Sequence, residues 1–257
     1  MRTTAICNLK GGVAKTVTAV NMAAILAEDY NARVLVVDAD SQCNTTEFFG
    51  GAPKDAPSFA DMLRKNDVGQ IVRATEIHNV WLLPADDSLM DLDLSSVKSR
   101  QTDVGCLDRF LRTSSQATGF DFVLIDCPPA FNAASAAALV AADDVVIPIK
   151  LDAFSLRGMA NLMRQIRNMQ KINPALRLAG LLPTMIYKSD SIKEALAALH
   201  QSSMNVYPPI RRSNKADDST FAQEPLIWSS PKSAACIDYR RFVVAFLGRE
   251  ARRYGKI

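Results

Sequence analysis

Lys10-Gly11-Gly12-Val13-Ala14-Lys15-Thr16 is the stretch on which the fold turns. It follows the strand-like run Thr4-Ala5-Ile6-Cys7 and opens a helical stretch over 15–28. Glycines at a strand-to-helix turn let backbone N–H groups point inward around phosphate oxygens. The helix start adds the positive end of its dipole. In such a loop Lys15 reaches the β- and γ-phosphates of a nucleotide, and Thr16 offers its hydroxyl to Mg²⁺. Lys10, Gly11, Gly12, Val13, Ala14, Lys15, Thr16 and Val17 are therefore the expected nucleotide contacts. Glycine usually precedes the second lysine. Ala14 stands there instead, and a left-handed backbone would cost it only about 1 kcal/mol relative to glycine. The plain alternative is a glycine-rich turn that binds nothing.

Working outward, short apolar runs alternate with helical stretches. Val34-Leu35-Val36-Val37, Phe122-Val123-Leu124-Ile125, Val145-Val146-Ile147-Pro148-Ile149 and the run 178–182 have the unbroken apolar character of strands buried on both faces. Val80-Trp81-Leu82-Leu83 is a weaker candidate. Helical stretches are expected over 133–142, 156–172, 191–200 and 233–253. This alternation predicts an α/β fold: a mostly parallel sheet with helices on both faces and ligands at the carboxyl ends of strands. No internal repeat or interdomain linker is evident, so 1–257 reads as a single domain.

Two of these strands end in acids. Asp38 and Asp40 follow the run 34–37, and a spacing of two places both carboxylates on one side of an extended chain. Asp126 ends Phe120-Asp121-Phe122-Val123-Leu124-Ile125 and precedes Cys127-Pro128-Pro129.

Composition removes other classes. The chain has 257 residues, 48% hydrophobic and 22% charged, which excludes a disordered, collagen-like or coiled-coil protein. The longest small-and-apolar run, 133–142, is too short to span a bilayer. The first residues lack a signal-peptide layout, so a cytoplasmic protein is expected. Cys7, Cys43, Cys106, Cys127 and Cys236 are scattered without a Cys-x-x-Cys pair, and read as reduced apolar fillers. His78 and His200 stand alone, against a zinc hydrolase.

The second lysine sharpens the reading. One loop needs one lysine for its own nucleotide, and Lys10 suits a phosphate approached from another subunit. The pair Lys10 and Lys15 resembles the deviant Walker A group of P-loop NTPases: the ParA/Soj partition ATPases, the MinD division-site proteins and the nitrogenase iron protein. The segment 38–45 is similar to the Asp-x-Asp-Pro-Gln-x-Asn signature of the ParA branch, with Ser41 in place of proline. The Asp126-Cys127-Pro128-Pro129 segment looks like its Walker B end. Segments 141–148, 178–185 and 233–239 continue the likeness, so it covers nearly the whole chain. The resemblance implies ATP and Mg²⁺ as cofactors and weak ATP hydrolysis, with Lys10, Lys15 and Asp40 as catalytic residues. Asp40 would position the attacking water, and Thr16, Asp38 and Asp126 would face the metal. It also implies an ATP-bound homodimer and stimulation by a ParB-like centromere-binding protein. Arg211 departs from the family, which usually has proline there, near the adenine.

Charge places a further expectation. Residues 240–257 hold six basic residues and one acid, a net +5, while 1–239 is −2. Residues 153–189 hold six basic residues and no acid. At 100° per residue, Arg157, Arg164 and Lys171 recur on one face of the 156–172 helix, opposite Met159, Leu162, Met163 and Ile166. Arg164, Arg167, Lys171, Arg241, Arg249 and Arg252 are the expected DNA contacts, to the phosphate backbone without regard to sequence. Nucleoid association with ATP follows, without stable membrane association. The rival is a MinD-like membrane switch that lays the C-terminal amphipathic helix on anionic lipid. Exposure of Phe242 and Phe246 would favour that rival; their burial would favour DNA.

Overall fold

The computed structural model describes residues 1–53, 55–64, 68–92, 97 and 102–254, without the side chains of 153–157 and 249–254. Seven strands form one sheet in the order β3-β4-β2-β5-β1-β6-β7. They are β1 (Arg2–Ile6), β2 (Val34–Asp38), β3 (Arg73–Ala74), β4 (Val80–Leu83), β5 (Phe122–Asp126), β6 (Asp144–Lys150) and β7 (Arg177–Thr184). Every pairing is parallel except that of the two-residue edge strand β3 with β4. The expected α/β class with a mostly parallel sheet is what the chain forms.

Why the central strands read as unbroken apolar runs is visible in their two faces. Val34, Val36, Leu124 and Val146 join one buried cluster, and Leu35, Val37, Val123, Ile125, Val145 and Ile147 join the other. Alternate residues point to opposite faces, and helices cover both. On one face lie α1 (Lys15–Tyr30) and α10 (Ala234–Tyr254), meeting through Met22, Ala23 and Leu26 and through Tyr239, Phe242, Val243 and Phe246. On the other lie α3 (Phe59–Leu63), α4 (Cys106–Thr113), α5 (Ala133–Ala141), α6 (Ala153–Met169) and α7 (Asp190–Gln201). The alanines of α5 let that helix pack flat: Ala133, Ala134, Ala137 and Ala138 are fully buried. Short helices α2 (Asn44–Phe48), α8 (Asn214–Ala222) and α9 (Leu226–Ser229) complete the order.

Local chemistry sets the boundaries. Helix α1 stops where Asn31 turns left-handed (φ 52°) and donates its N–H to the Leu26 carbonyl. Ser58 and Asp61 form a reciprocal capping box at α3, and the Asn132 side chain caps α5. One expectation needs correction. Helix α6 ends at Met169, so Lys171 sits in the following turn rather than on the helical face. The cause is Asn173, whose side-chain amide donates to the carbonyls of Leu139, Val140 and Ala142 and pulls the chain across the end of α5.

Phe242 and Phe246 are fully buried, and Phe242 packs edge-on against Tyr207 at 5.1 Å. The apolar side of α10 is thus committed to the sheet and to α1. Among the described residues no helix is long and apolar enough to cross a membrane.

Candidate functional site

The carboxyl ends of β1, β2, β5 and β6 converge on one place, and the 10–16 loop lies over them. Ala14 has φ 65° and ψ 36°, a left-handed conformation. Gly12 shares it at φ 66°, and a Cβ there would meet nothing, so its glycine serves conformation rather than space. Ala14 is also the residue before the first turn of α1, and no side chain caps that helix. Its first N–H groups therefore stay open toward the loop, as an anion site requires.

Polar side chains brace the loop from below. Asn8 donates to the Pro148 carbonyl at 2.7 Å and accepts from the Lys10 N–H at 3.0 Å. The Thr184 hydroxyl donates to the Val13 carbonyl at 3.1 Å. The two lysines differ sharply. Lys15 is buried and its Nζ donates to the Lys10 carbonyl at 3.2 Å, inside the loop. Lys10 turns outward, and its Nζ reaches both carboxylate oxygens of Asp152 at 2.8 and 2.7 Å.

Asp126 sits opposite. Its Oδ2 accepts from the hydroxyls of Thr16 at 2.6 Å and Thr45 at 2.7 Å. Its Oδ1 is buried with no hydrogen-bond partner among the described residues. A buried carboxylate oxygen without a partner is costly unless a ligand completes it. Together with the Thr16 hydroxyl it fits Mg²⁺, which takes one or two carboxylates and draws its other ligands from phosphate and water. Burial pushes the Asp126 carboxyl up to about 6, while the hydroxyls of Thr16 and Thr45 hold it down.

Asp38 and Asp40 part company. Strand β2 ends at Asp38, so the alternation that would have put both carboxylates on one side stops there. Asp38 is fully buried, with Oδ1 accepting from the Asp40 N–H and Oδ2 from both the N–H and the hydroxyl of Thr46. Both oxygens are thus engaged in bracing the 39–46 segment. Burial, then the neighbouring Asp126 charge, pushes the Asp38 carboxyl up to about 7. Asp40 is buried to 8% exposure within the loop, and its Oδ1 accepts from the Gln42 N–H at 3.1 Å.

Beside the loop opens a cavity of about 350 Å³, lined by Ala14, Val17, Met185, Tyr187, Ile210 and Arg211 among others. Arg211 does not hang free there. Its Nε and one terminal nitrogen grip the two oxygens of the buried Asp238 at 2.7 and 2.9 Å.

The chain, then, has an uncapped helix start, a buried lysine as the first residue of that helix, and a hydroxyl–carboxylate pair at the next strand end. Comparison with known proteins decides what to call this. The AAA domain family matches residues 1–178. The sporulation initiation inhibitor protein Soj of Bacillus subtilis is 36% identical over 185 residues, 71% of this chain and 72% of that protein. The chain belongs to the ParA/Soj family of partition ATPases. The chromosome partitioning protein ParA of Caulobacter vibrioides is 29% identical over 263 residues, covering 100% of this chain and 97% of that one. Among solved structures, cobyrinic acid a,c-diamide synthase from Mycobacterium smegmatis with a bound ATP analogue and magnesium superposes with a TM-score of 0.82. It is 30% identical and covers 100% of this chain and 97% of its own.

The remaining expected residues are spread out. Arg164 and Arg167 are exposed on α6, with Lys171 exposed just beyond it. Arg241 is exposed on α10 and lies 3.6 Å from Asp238. Arg249 and Arg252 fall on the α10 backbone, but their side chains lie outside the described residues. Helices α6 and α10 cover opposite faces of the sheet, so within one chain their arginines do not make a single flat patch. Thr45, Thr46, Asp152 and Asp238 are site residues that the sequence alone did not single out. Only the polar Asn44-Thr45-Thr46 run after Asp40 hinted at the first two.

Proposed function

We propose that this chain is an ATP- and Mg²⁺-dependent partition ATPase, a single domain over 1–257, which binds DNA as an ATP-bound dimer. The observation that carries the reading is the meeting of Lys15, Thr16 and the half-satisfied Asp126 at an uncapped helix start.

In this reading the backbone N–H groups of 11–17 and the Lys15 ammonium hold the phosphates. Thr16 and Asp126 would hold Mg²⁺, which would supply positive charge to the phosphates, with Asp38 bracing the adjoining loop. Asp40 orients the water that attacks the γ-phosphorus; the bond to the β–γ bridging oxygen breaks, and ADP leaves. Lys10 leaves Asp152 and reaches the partner subunit's nucleotide. The Lys10–Asp152 pair is partly exposed, so releasing it costs no more than about 1 kcal/mol. Hydrolysis is slow alone and is stimulated by a ParB-like protein. Arg164, Arg167, Lys171, Arg241, Arg249 and Arg252 supply phosphate contacts on nucleoid DNA. Burial of Phe242 and Phe246 speaks against a lipid-bound α10.

The test is binding of a random-sequence duplex by the purified protein with ATP, with ADP and with no nucleotide. Tight binding is expected with ATP alone, and it should vanish in Lys15→Ala, which loses the charge partner of the phosphates. Equal binding in all three states overturns the nucleotide switch.

A further inference from the structure

Asp126 carries its two oxygens in unlike settings. Oδ2 receives two hydroxyl donors, and Oδ1, equally buried, receives none among the described residues. A carboxylate that could turn about its side-chain bonds would share those donors. The two hydroxyls together fix which oxygen is engaged and which is presented. One of them, Thr16, belongs to the phosphate loop. The other, Thr45, belongs to the 39–46 segment, 81 positions from Asp126 in sequence.

Thr45 is fully buried in the first turn of α2. Its neighbour Thr46 holds Asp38 by backbone and side chain, and its hydroxyl accepts from the Ala85 N–H at 2.9 Å. Two successive threonines thus fasten one segment to two strand-end carboxylates, Thr46 to β2 and Thr45 to β5. Asp38 and Asp126 are register partners on those adjacent strands. The same segment carries Asp40.

We propose that Thr45 is a positioning residue for Mg²⁺: its hydroxyl holds Asp126 Oδ2 so that Oδ1 faces the cation, and through it cation binding orders the loop that bears Asp40. The inference rests on the assignment of Asp126 and Thr16 to the metal made above. Thr16 retains its proton for Asp126 while its oxygen lone pairs remain available, so the two roles do not compete. Nor can Thr16 replace Thr45, because a single donor leaves the carboxylate free to swing.

The experiment is a Mg²⁺ titration of fluorescent ADP binding to the wild type, Thr45→Val and Thr45→Ser. Valine keeps the shape and removes the donor; serine keeps the donor. A hydrogen bond to a charged group has a strength that predicts about a 10-fold rise in half-saturating Mg²⁺ for Thr45→Val. Affinity for ADP in EDTA should be unchanged, and Thr45→Ser should lie near the wild type. In an Asp126→Asn background Thr45→Val should add little. Hydrogen exchange supplies the second readout: Mg²⁺ added to the ADP complex should protect amides 40–46 in the wild type and in Thr45→Ser, and not in Thr45→Val. A wild-type Mg²⁺ requirement in Thr45→Val overturns the proposal. So does equal weakening with and without Mg²⁺, which marks a merely structural hydroxyl. A wild-type protein whose ADP binding ignores Mg²⁺ instead overturns the metal assignment beneath it.

Discussion

Asp38 and Asp126 are two buried carboxyls at adjacent strand ends, and burial raises both, to about 7 and about 6. In the unfolded chain each titrates near 4. Between pH 4 and pH 7 the folded protein therefore holds protons that the unfolded chain has given up. Stability falls with rising pH wherever the folded state binds more protons. The contribution is complete below about pH 4 and is lost as pH rises through 6 and 7. In metal-free, nucleotide-free buffer the melting temperature should fall between pH 5.5 and pH 8, and Asp38→Asn should make that fall shallower. Mg²⁺ held by Asp126, as proposed, would favour its ionised form, so adding Mg²⁺ with ADP should flatten it as well. Thermal denaturation across that range checks the slope, and a wild-type stability that climbs from pH 5.5 to 8 contradicts the assignment. The burial of these carboxyls and the contact from Thr45 could not be read from sequence, although the resemblance placed Thr16 and Asp126 at one metal. Asp126 was visible as an acid after an apolar run, but its donors Thr16 and Thr45 lie 110 and 81 positions away.

The phosphate loop is an element whose two ends have different duties. Its inner end is rigid: Ala14 in a left-handed conformation, Val13 held by Thr184, Lys10 N–H held by Asn8. Its outer end carries Lys10 on Asp152, at the far end of β6. Removing the Lys10 side chain should leave the phosphate cradle in place, because Asn8 braces the Lys10 N–H, Lys15 the Lys10 carbonyl and Thr184 the Val13 carbonyl. Lys10→Ala should therefore bind ATP normally and fail to dimerise. Sedimentation with a slowly hydrolysed ATP analogue measures this, and a normal dimer would refute the cross-subunit role. The loop itself was plain in the sequence, since glycines and lysines at fixed spacing after a strand carry their own chemistry. So were β2, β5 and β6, whose apolar runs are set by burial on both faces. Helices α2, α3, α4 and α8 were not legible. They have five to nine residues, too short to show a helical period, and tertiary packing rather than propensity holds them. The end of α6 was missed for a similar reason: Asn173 is bound to carbonyls more than thirty positions back.

At the scale of the whole molecule, charge and hydrophobic burial answer the same question. The C-terminal helix could serve lipid only by exposing its aromatic side, and that side is spent on the core: Phe242, Phe246 and Tyr239 pack against α1 and the sheet. Outside, among the described residues, α10 exposes Arg241 beside Ile237 and Val244. On α6, Arg164 and Arg167 are exposed, and Leu162 and Ile166 beneath them are buried. Arg241 on α10 is a poorer probe, because it neighbours Asp238, which also anchors Arg211 beside the cavity next to the loop. A duplex bound through α6 should be held electrostatically, with indifference to sequence. Neutralising one arginine that meets a phosphate should then reduce the log–log salt dependence of binding by about 1. Arg164→Ala and Arg167→Ala should each show that reduction on any duplex with ATP bound, and their ATP affinity should match the wild type, since neither residue lines the phosphate loop or the cavity. Two chains closed face to face with ATP, as proposed, would bring two such helices to one rod of phosphates, so the effect should be absent with ADP. Salt titrations of duplex binding with each nucleotide separate the outcomes. An unchanged slope in both variants, with ATP-dependent binding intact, would move the DNA-binding surface off α6 and toward the basic end of α10.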